Sequence, residues 1–224
     1  MTLPEYEKIA RAHRSNEKSA PANLAVVEES AATDEVAVLY EYFRTHFGRP
    51  DVPGILKCFA THPPLLRHMM LISETLIFSE GALGRKVKEM IATFVSILNA
   101  CPYCVDSHAY FLRMYGGSSA ALKAILNDDL GSSELTLAEQ LLLEFVRKVN
   151  GFSYEVDSED TALLMKAGWS DLQIAEAIHV TALFATFNRV ANAFGLGSQG
   201  LLALYEEAAA QDTEQPADNE RKDS

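Results

Sequence analysis

Residues 85–113 read RKVKEMIATFVSILNACPYCVDSHAYFLR, and this stretch decides the fold. Its first half sets Val87, Met90, Ile91, Phe94, Ile97 and Leu98 at the i, i+3, i+4, i+7 spacing of a helix with one apolar stripe. A second helix opens near Pro102, because a missing N–H costs nothing in a first helical turn. It closes at Gly116-Gly117. A long amphipathic helix therefore precedes Cys101-Pro-Tyr-Cys104. The strand and βαβ context of a thioredoxin-type centre is missing.

The helical period continues outward in both directions. In DEVAVLYEYFRTHFG, from Asp34, residues Val36, Leu39, Tyr40 and Phe43 keep the spacing, and Gly48 and Pro50 end it. ILKCFATH and PPLLRHMMLISETLIFSEGAL predict two more helices, the second with Pro63 and Pro64 in its first turn. Downstream, SSAALKAILN carries a serine cap, and Thr136 with Glu139 has the spacing of a capping box. A short helix follows from Ser158 to Ala167, closed by Gly168. WSDLQIAEAIHVTALFATFNRVANAFG is apolar on several faces, which predicts a central helix or a subunit interface, and hence a homo-oligomer. No segment sustains a period of two. The fold class is all-α, a single-domain multi-helix bundle, with residues 1–33 as an N-terminal arm, 34–210 as the helical domain and 211–224 as a disordered acidic tail.

Composition narrows the function. The chain has 224 residues, 48% of them hydrophobic, enough for one sizeable core. The formal net charge is −12, and seven acids against two bases between Glu206 and Ser224 supply much of it. With no basic stripe, nucleic acid is a poor partner. No apolar run spans a bilayer, and the N-terminus lacks the apolar segment of a secretory signal, so a cytoplasmic location is expected. Three cysteines are too few for a disulfide framework. In that compartment a close pair is redox-active or metal-binding. Cys58, alone in GILKCFA, reads as a buried small apolar residue.

Cysteine chemistry needs a thiolate, so something must lower a thiol's pKa. Two features offer this. A helix starting at Pro102 puts both sulfurs near the positive end of its dipole. His108 follows Cys104 by four residues, which on a helix brings their Cβ atoms to roughly 5–6 Å on one face. An imidazole there takes the thiol proton or stabilises the thiolate. Cys104 is then the better attacking sulfur, and Cys101, one turn back, resolves the oxidised form as a disulfide. The alternative is a zinc-binding or redox-sensing centre without turnover, with Cys101, Cys104 and His108 as three of four ligands and a carboxylate or water as the fourth. Asp106 lies between Cys104 and His108 and is expected to be exposed.

The stretch KEMIATFVSILNACPYCVDSHAYFLR is similar to the core of the alkyl hydroperoxidase D (AhpD-like) family, within the carboxymuconolactone decarboxylase superfamily. The family pattern is a Glu, eleven residues, then CxxCxxxH, matched here by Glu89, Cys101, Cys104 and His108. FATFNRVANAFG resembles the closing helix of the peroxidase-related branch. The resemblance implies an orthogonal helical bundle, trimers or hexamers, and thiol peroxidase activity on organic hydroperoxides. Cys104 would attack, Cys101 resolve, and His108 and Glu89 relay protons. No cofactor or metal is implied. A thioredoxin-like or lipoyl-bearing protein would supply electrons. Tyr103 stands where some members carry a second His. Lactone decarboxylation, the superfamily's other chemistry, does not generally depend on a cysteine pair. Without the resemblance, Glu89 reads as a solvated partner of Arg85, because it lies off the Val87–Met90–Ile91 stripe. Twelve residues of straight helix separate it from Cys101 by roughly 18 Å, a gap that a fold-back of the next helix, a bridging water or a neighbouring subunit would close.

Overall fold

The computed structural model describes residues 23–49 and 51–214, with side chains described as far as Glu207. Among these residues it is all-helical. The helices are α1 (Asp34–Phe47), α2 (Gly54–Phe59), α3 (Pro63–Ser73), α4 (Arg85–Leu98), α5 (Pro102–Met114), α6 (Ser119–Leu126), α7 (Leu137–Phe152), α8 (Ser158–Lys166), α9 (Asp171–Phe194) and α10 (Leu201–Glu214). A π turn, Glu74–Phe78, extends α3.

Helix α4 is the axis of the fold. It packs on α5, α6, α7 and α9, and α5 folds back along it as the most extensive pairing. The sequence predicts one apolar stripe, yet ten consecutive residues, Lys88 to Ile97, are buried. The polar side of α4 does not face water. It turns toward α5 and α9, and its charges find partners there. Most of the predicted caps are present. Ser118 accepts from Ala121 N–H (3.0 Å), and Thr136 and Glu139 form their reciprocal box. Such caps each contribute about 1 kcal/mol.

Two apolar cores result. The larger gathers α4, α5, α6, α7 and α9. The smaller is built by α1, α2 and α3 around Tyr40, Phe59 and Leu66. Part of the expected arm seals the smaller one. Asn23 N–H donates to Phe194 O (2.9 Å), Tyr40 donates to Val27 O (2.8 Å), and Glu29 holds both Arg44 (2.7 Å) and the Val52 N–H (3.1 Å). Residues 1–22 of the arm lie outside the described residues.

Helix α10 is not read from the sequence. It runs to Glu214, into the expected acidic tail, whose remainder, 215–224, lies outside the described residues. No helix among the described residues is long and apolar enough to cross a membrane.

Candidate active site

The turn between α4 and α5 builds the site. Asn99 caps α4, Ala100 enters the left-handed region at φ +49°, and two bonds close the turn, Cys101 N–H to Ser96 O (2.9 Å) and Ala100 N–H to Ile97 O (3.0 Å). This is the double-bonded helix ending that normally carries glycine at the left-handed residue. The chain leaves it with Cys101 already at the cap of α5, its sulfur accepting the Cys104 N–H at 3.4 Å. Pro102 occupies the first turn, as expected.

Both cysteines are free and buried, Cys101 fully and Cys104 with 3% exposed. They sit at the seam between the two cores, with Ala191 behind them and Ile55 and Leu196 packed against them. Their thiols hydrogen-bond to each other, and the two are driven apart electrostatically. The Cys104 side chain, its N–H, the Asn188 amide and the Tyr103 N–H hold the Cys101 thiol below the ordinary value against its desolvation. Burial pushes the Cys104 thiol well up, and its bond to Cys101 adds to this. The pair therefore favours charge on Cys101 over Cys104, chiefly through the Cys104 side chain, with the backbone N–H groups of the helix start adding to it. Burial likewise pushes Cys58 up to about 12, so it is an inert core thiol.

Glu89 is not solvated. It is fully buried, and the fold-back of α5 brings His108 to it within one chain. Glu89 Oε2 lies 2.7 Å from His108 Nδ1, and Oε1 accepts from Arg85 Nε at 2.6 Å. A carboxylate paired with Arg85 accepts from Nδ1–H, which leaves Nε2 as the basic nitrogen of His108. The imidazole is held edge-on to Phe184, centroids 4.4 Å apart. The Arg85 guanidinium lies over Tyr115 (4.5 Å) and Phe78 (4.8 Å).

Cys104 and His108 open onto a cavity of about 260 Å³ between the two cores. Its walls are largely aromatic, with Phe43 and Phe47 from α1 facing Phe184 and Phe187 from α9. Cys101 is not part of its lining. Tyr103 also lines it and accepts the Ile55 N–H (3.3 Å), so the residue that replaces a family His anchors α2. Among the described residues, no three His, Cys, Asp or Glu side chains are gathered to hold a metal ion, and His108 Nδ1 is taken by Glu89.

Asp106 corrects an expectation. It is 1% exposed and accepts three backbone N–H groups, from Gln199 (2.9 Å), Leu201 (3.1 Å) and Leu202 (3.1 Å). It caps α10 from another helix. Asn188 belongs to no site motif in the sequence reading. It is fully buried beside the cysteines and bonds to Ser96 Oγ (3.0 Å), whose own proton goes to Ala92 O (2.7 Å). Its signal was an Asn in the apolar run ATFNRVANAF.

Residues 63–142, which hold Glu89, both cysteines and His108, match the model of the carboxymuconolactone decarboxylase family. Over that span the chain is similar to the carboxymuconolactone decarboxylase superfamily, and its solved likenesses include AhpD-like proteins. An uncharacterized peroxidase-related protein from Ralstonia eutropha, with an alkylhydroperoxidase AhpD core, is 25% identical at a TM-score of 0.73, over 82% of this chain and 96% of its own. A peroxidase-related protein from a Silicibacter species is 26% identical at a TM-score of 0.69, over 79% of this chain and 91% of its own. The debrominase Bmp8, solved with 2,3,4-tribromopyrrole, shares the fold at 15% identity and a TM-score of 0.65, over 85% and 97% of the two chains. A comparison with curated proteins gives no significant match.

Proposed function

We propose that this AhpD-like chain is a thiol-dependent peroxidase that reduces organic hydroperoxides at Cys104. The match to the family model and the peroxidase-related relatives support an oxidoreductase of this general kind. The observation that carries the finer reading is the aromatic cavity, which reaches Cys104 and a His108 held by Glu89, and does not reach Cys101.

The steps follow from these positions. The hydroperoxide enters the cavity with its O–O bond against Cys104. His108 Nε2 accepts the thiol proton as the sulfur attacks the terminal oxygen, and the paired Glu89 stabilises the imidazolium. The O–O bond breaks, the departing alkoxide takes the proton back, and the products are an alcohol and Cys104 sulfenic acid. Cys101, the thiol whose thiolate is favoured, attacks that sulfenic sulfur and releases water. An external dithiol, thioredoxin-like or lipoyl-bearing, reduces the disulfide and is itself oxidised. The aromatic walls keep bulk water from the reacting atoms.

The test is single-turnover oxidation. Reduced protein is mixed with cumene hydroperoxide, and free thiols are counted against time. Wild type should lose two thiols rapidly. Cys104→Ser should lose none, and Cys101→Ser should stop at a sulfenic acid. Loss of one thiol at the wild-type rate in Cys104→Ser would make Cys101 the attacking sulfur and sink the assignment.

A further inference from the structure

The cavity carries a charge that the peroxidase steps do not use. Two arginines line it, and no Asp or Glu does. Arg85 is committed, since its Nε is bound to Glu89 and its plane lies over Tyr115. Arg49 is not. It follows the end of α1, is half-buried, and lies 6.0 Å from the centroid of the Phe43 ring. No carboxylate among the described residues pairs with it. Its charge reaches the Tyr103 hydroxyl, the cavity residue next to Cys104.

The setting makes this uncommon. The chain has a formal charge of −12, which disfavours anions near most of its surface. The cavity reverses the sign locally. A guanidinium against an aromatic wall, with no partner on its fork among the described residues, suits a planar carboxylate, which it binds through two parallel N–H bonds. Low-dielectric walls strengthen such a contact relative to water.

We infer that Arg49 is a specificity-determining residue that selects hydroperoxides bearing a carboxylate on a compact apolar skeleton. The carboxylate docks on Arg49, the skeleton lies among the aromatic rings, and the peroxide oxygens meet Cys104. The cavity volume of about 260 Å³ favours a compact skeleton over a long chain. The catalytic part of this inference rests on the peroxidase reading. The binding part does not.

The experiment uses matched probes. Cumene hydroperoxide carrying a ring carboxylate, as the meta and para isomers, is compared with the corresponding methyl esters in single-turnover thiol loss. At low ionic strength, wild type should prefer the better acid isomer over its ester by about tenfold, the scale of one charge-assisted contact. The preference should fall as salt rises. In Arg49→Gln the acid-to-ester ratio should collapse to about one, and Arg49→Lys should restore part of it. Because the readout is a ratio, a general loss of activity cancels. Equal rates for acid and ester in wild type, or an unchanged ratio in Arg49→Gln, would overturn the inference.

A second arm separates it from the peroxidase reading. The unreactive ring-carboxylated cumyl alcohols and their esters are titrated into reduced protein. If no hydroperoxide consumes thiols, the peroxidase reading falls, and these titrations still decide the carboxylate site. Acid binding that exceeds ester binding in wild type and not in Arg49→Gln upholds it. Equal binding refutes it.

Discussion

Lys88 and Glu89 are neighbours on α4, and both are withdrawn from solvent, at 1% and 0% exposure. Their surroundings differ. Lys88 Nζ bonds to Glu176 Oε1 (2.8 Å) and Ser79 O (3.1 Å), and Glu176 Oε2 accepts the Leu83 N–H (2.7 Å). Every contact in that group ties α9 and the segment before α4 to α4. Glu89 bonds to Arg85 and to His108, and His108 opens on the cavity beside Cys104. Both clusters bury charge at a desolvation cost that good geometry offsets. Burial alone therefore does not mark chemistry. What sets the second cluster apart is a buried ion pair ending on an imidazole that lines a cavity.

That contrast breaks first, and by most, at His108. On the proposed steps His108→Gln removes the acceptor of the Cys104 proton, so single-turnover oxidation at neutral pH should slow by about 10²–10⁴-fold, the scale of general-base assistance. The pH profile should change with it. Burial raises the Cys104 thiol pKa, so below that value the thiolate fraction grows about tenfold per pH unit. Without the base the rate should climb steeply through and beyond the ordinary thiol range, whereas wild type should be flatter near neutrality. A His108→Gln enzyme with the wild-type profile would end the proton-acceptor role.

Lys88 should behave in the opposite way. Lys88→Met keeps the volume and leaves Glu176 without its cation, at a cost of about 3 kcal/mol. Denaturant unfolding should show that loss, while thiol oxidation per folded molecule stays at the wild-type rate. A slowed reaction in a stably folded Lys88→Met would mean that the two clusters are not separable.

The difference between the clusters was only partly legible in the sequence. The α4 stripe, the cysteine pair and His108 all lie within one stretch, where local period and spacing carry the information. The family resemblance put Glu89 with them, but spacing alone argued otherwise, because a straight helix places it far from Cys101. What closes the distance is the reversal at Asn99–Ala100, and no glycine announces it. Asp106 and α10 are illegible locally for one shared reason. Charged residues are rarely buried unless paired, and the partners of Asp106 are backbone N–H groups some 93 to 96 residues away. Helix α10 takes that distant cap, so its sequence shows no strong local start. The cavity draws walls from α1, α2, α3, α4, α5, α9 and α10, which no local pattern brings together.

The reversal itself offers the smallest and sharpest change. Ala100 sits at φ +49°, where a Cβ costs an L-residue about 1–2 kcal/mol. Glycine removes that cost, and the greater freedom it gives the unfolded chain takes back about 0.5–1 kcal/mol. Ala100→Gly should therefore raise stability by up to about 1 kcal/mol in denaturant unfolding. Ala100→Val, β-branched at the same φ, should lower it by more than that. The two variants also test whether the strain matters to the chemistry. The turn fixes Cys101 at the cap of α5 and sets α5 back along α4, which is what brings His108 to Glu89. If the remaining bonds, Cys101 N–H to Ser96 O above all, hold the turn without the Cβ, Ala100→Gly should oxidise as fast as wild type while being more stable. A glycine variant that is more stable but slower would show that the strained alanine helps position the cysteine pair against His108. A loss of stability would mean that the left-handed residue at position 100 carries no strain to relieve.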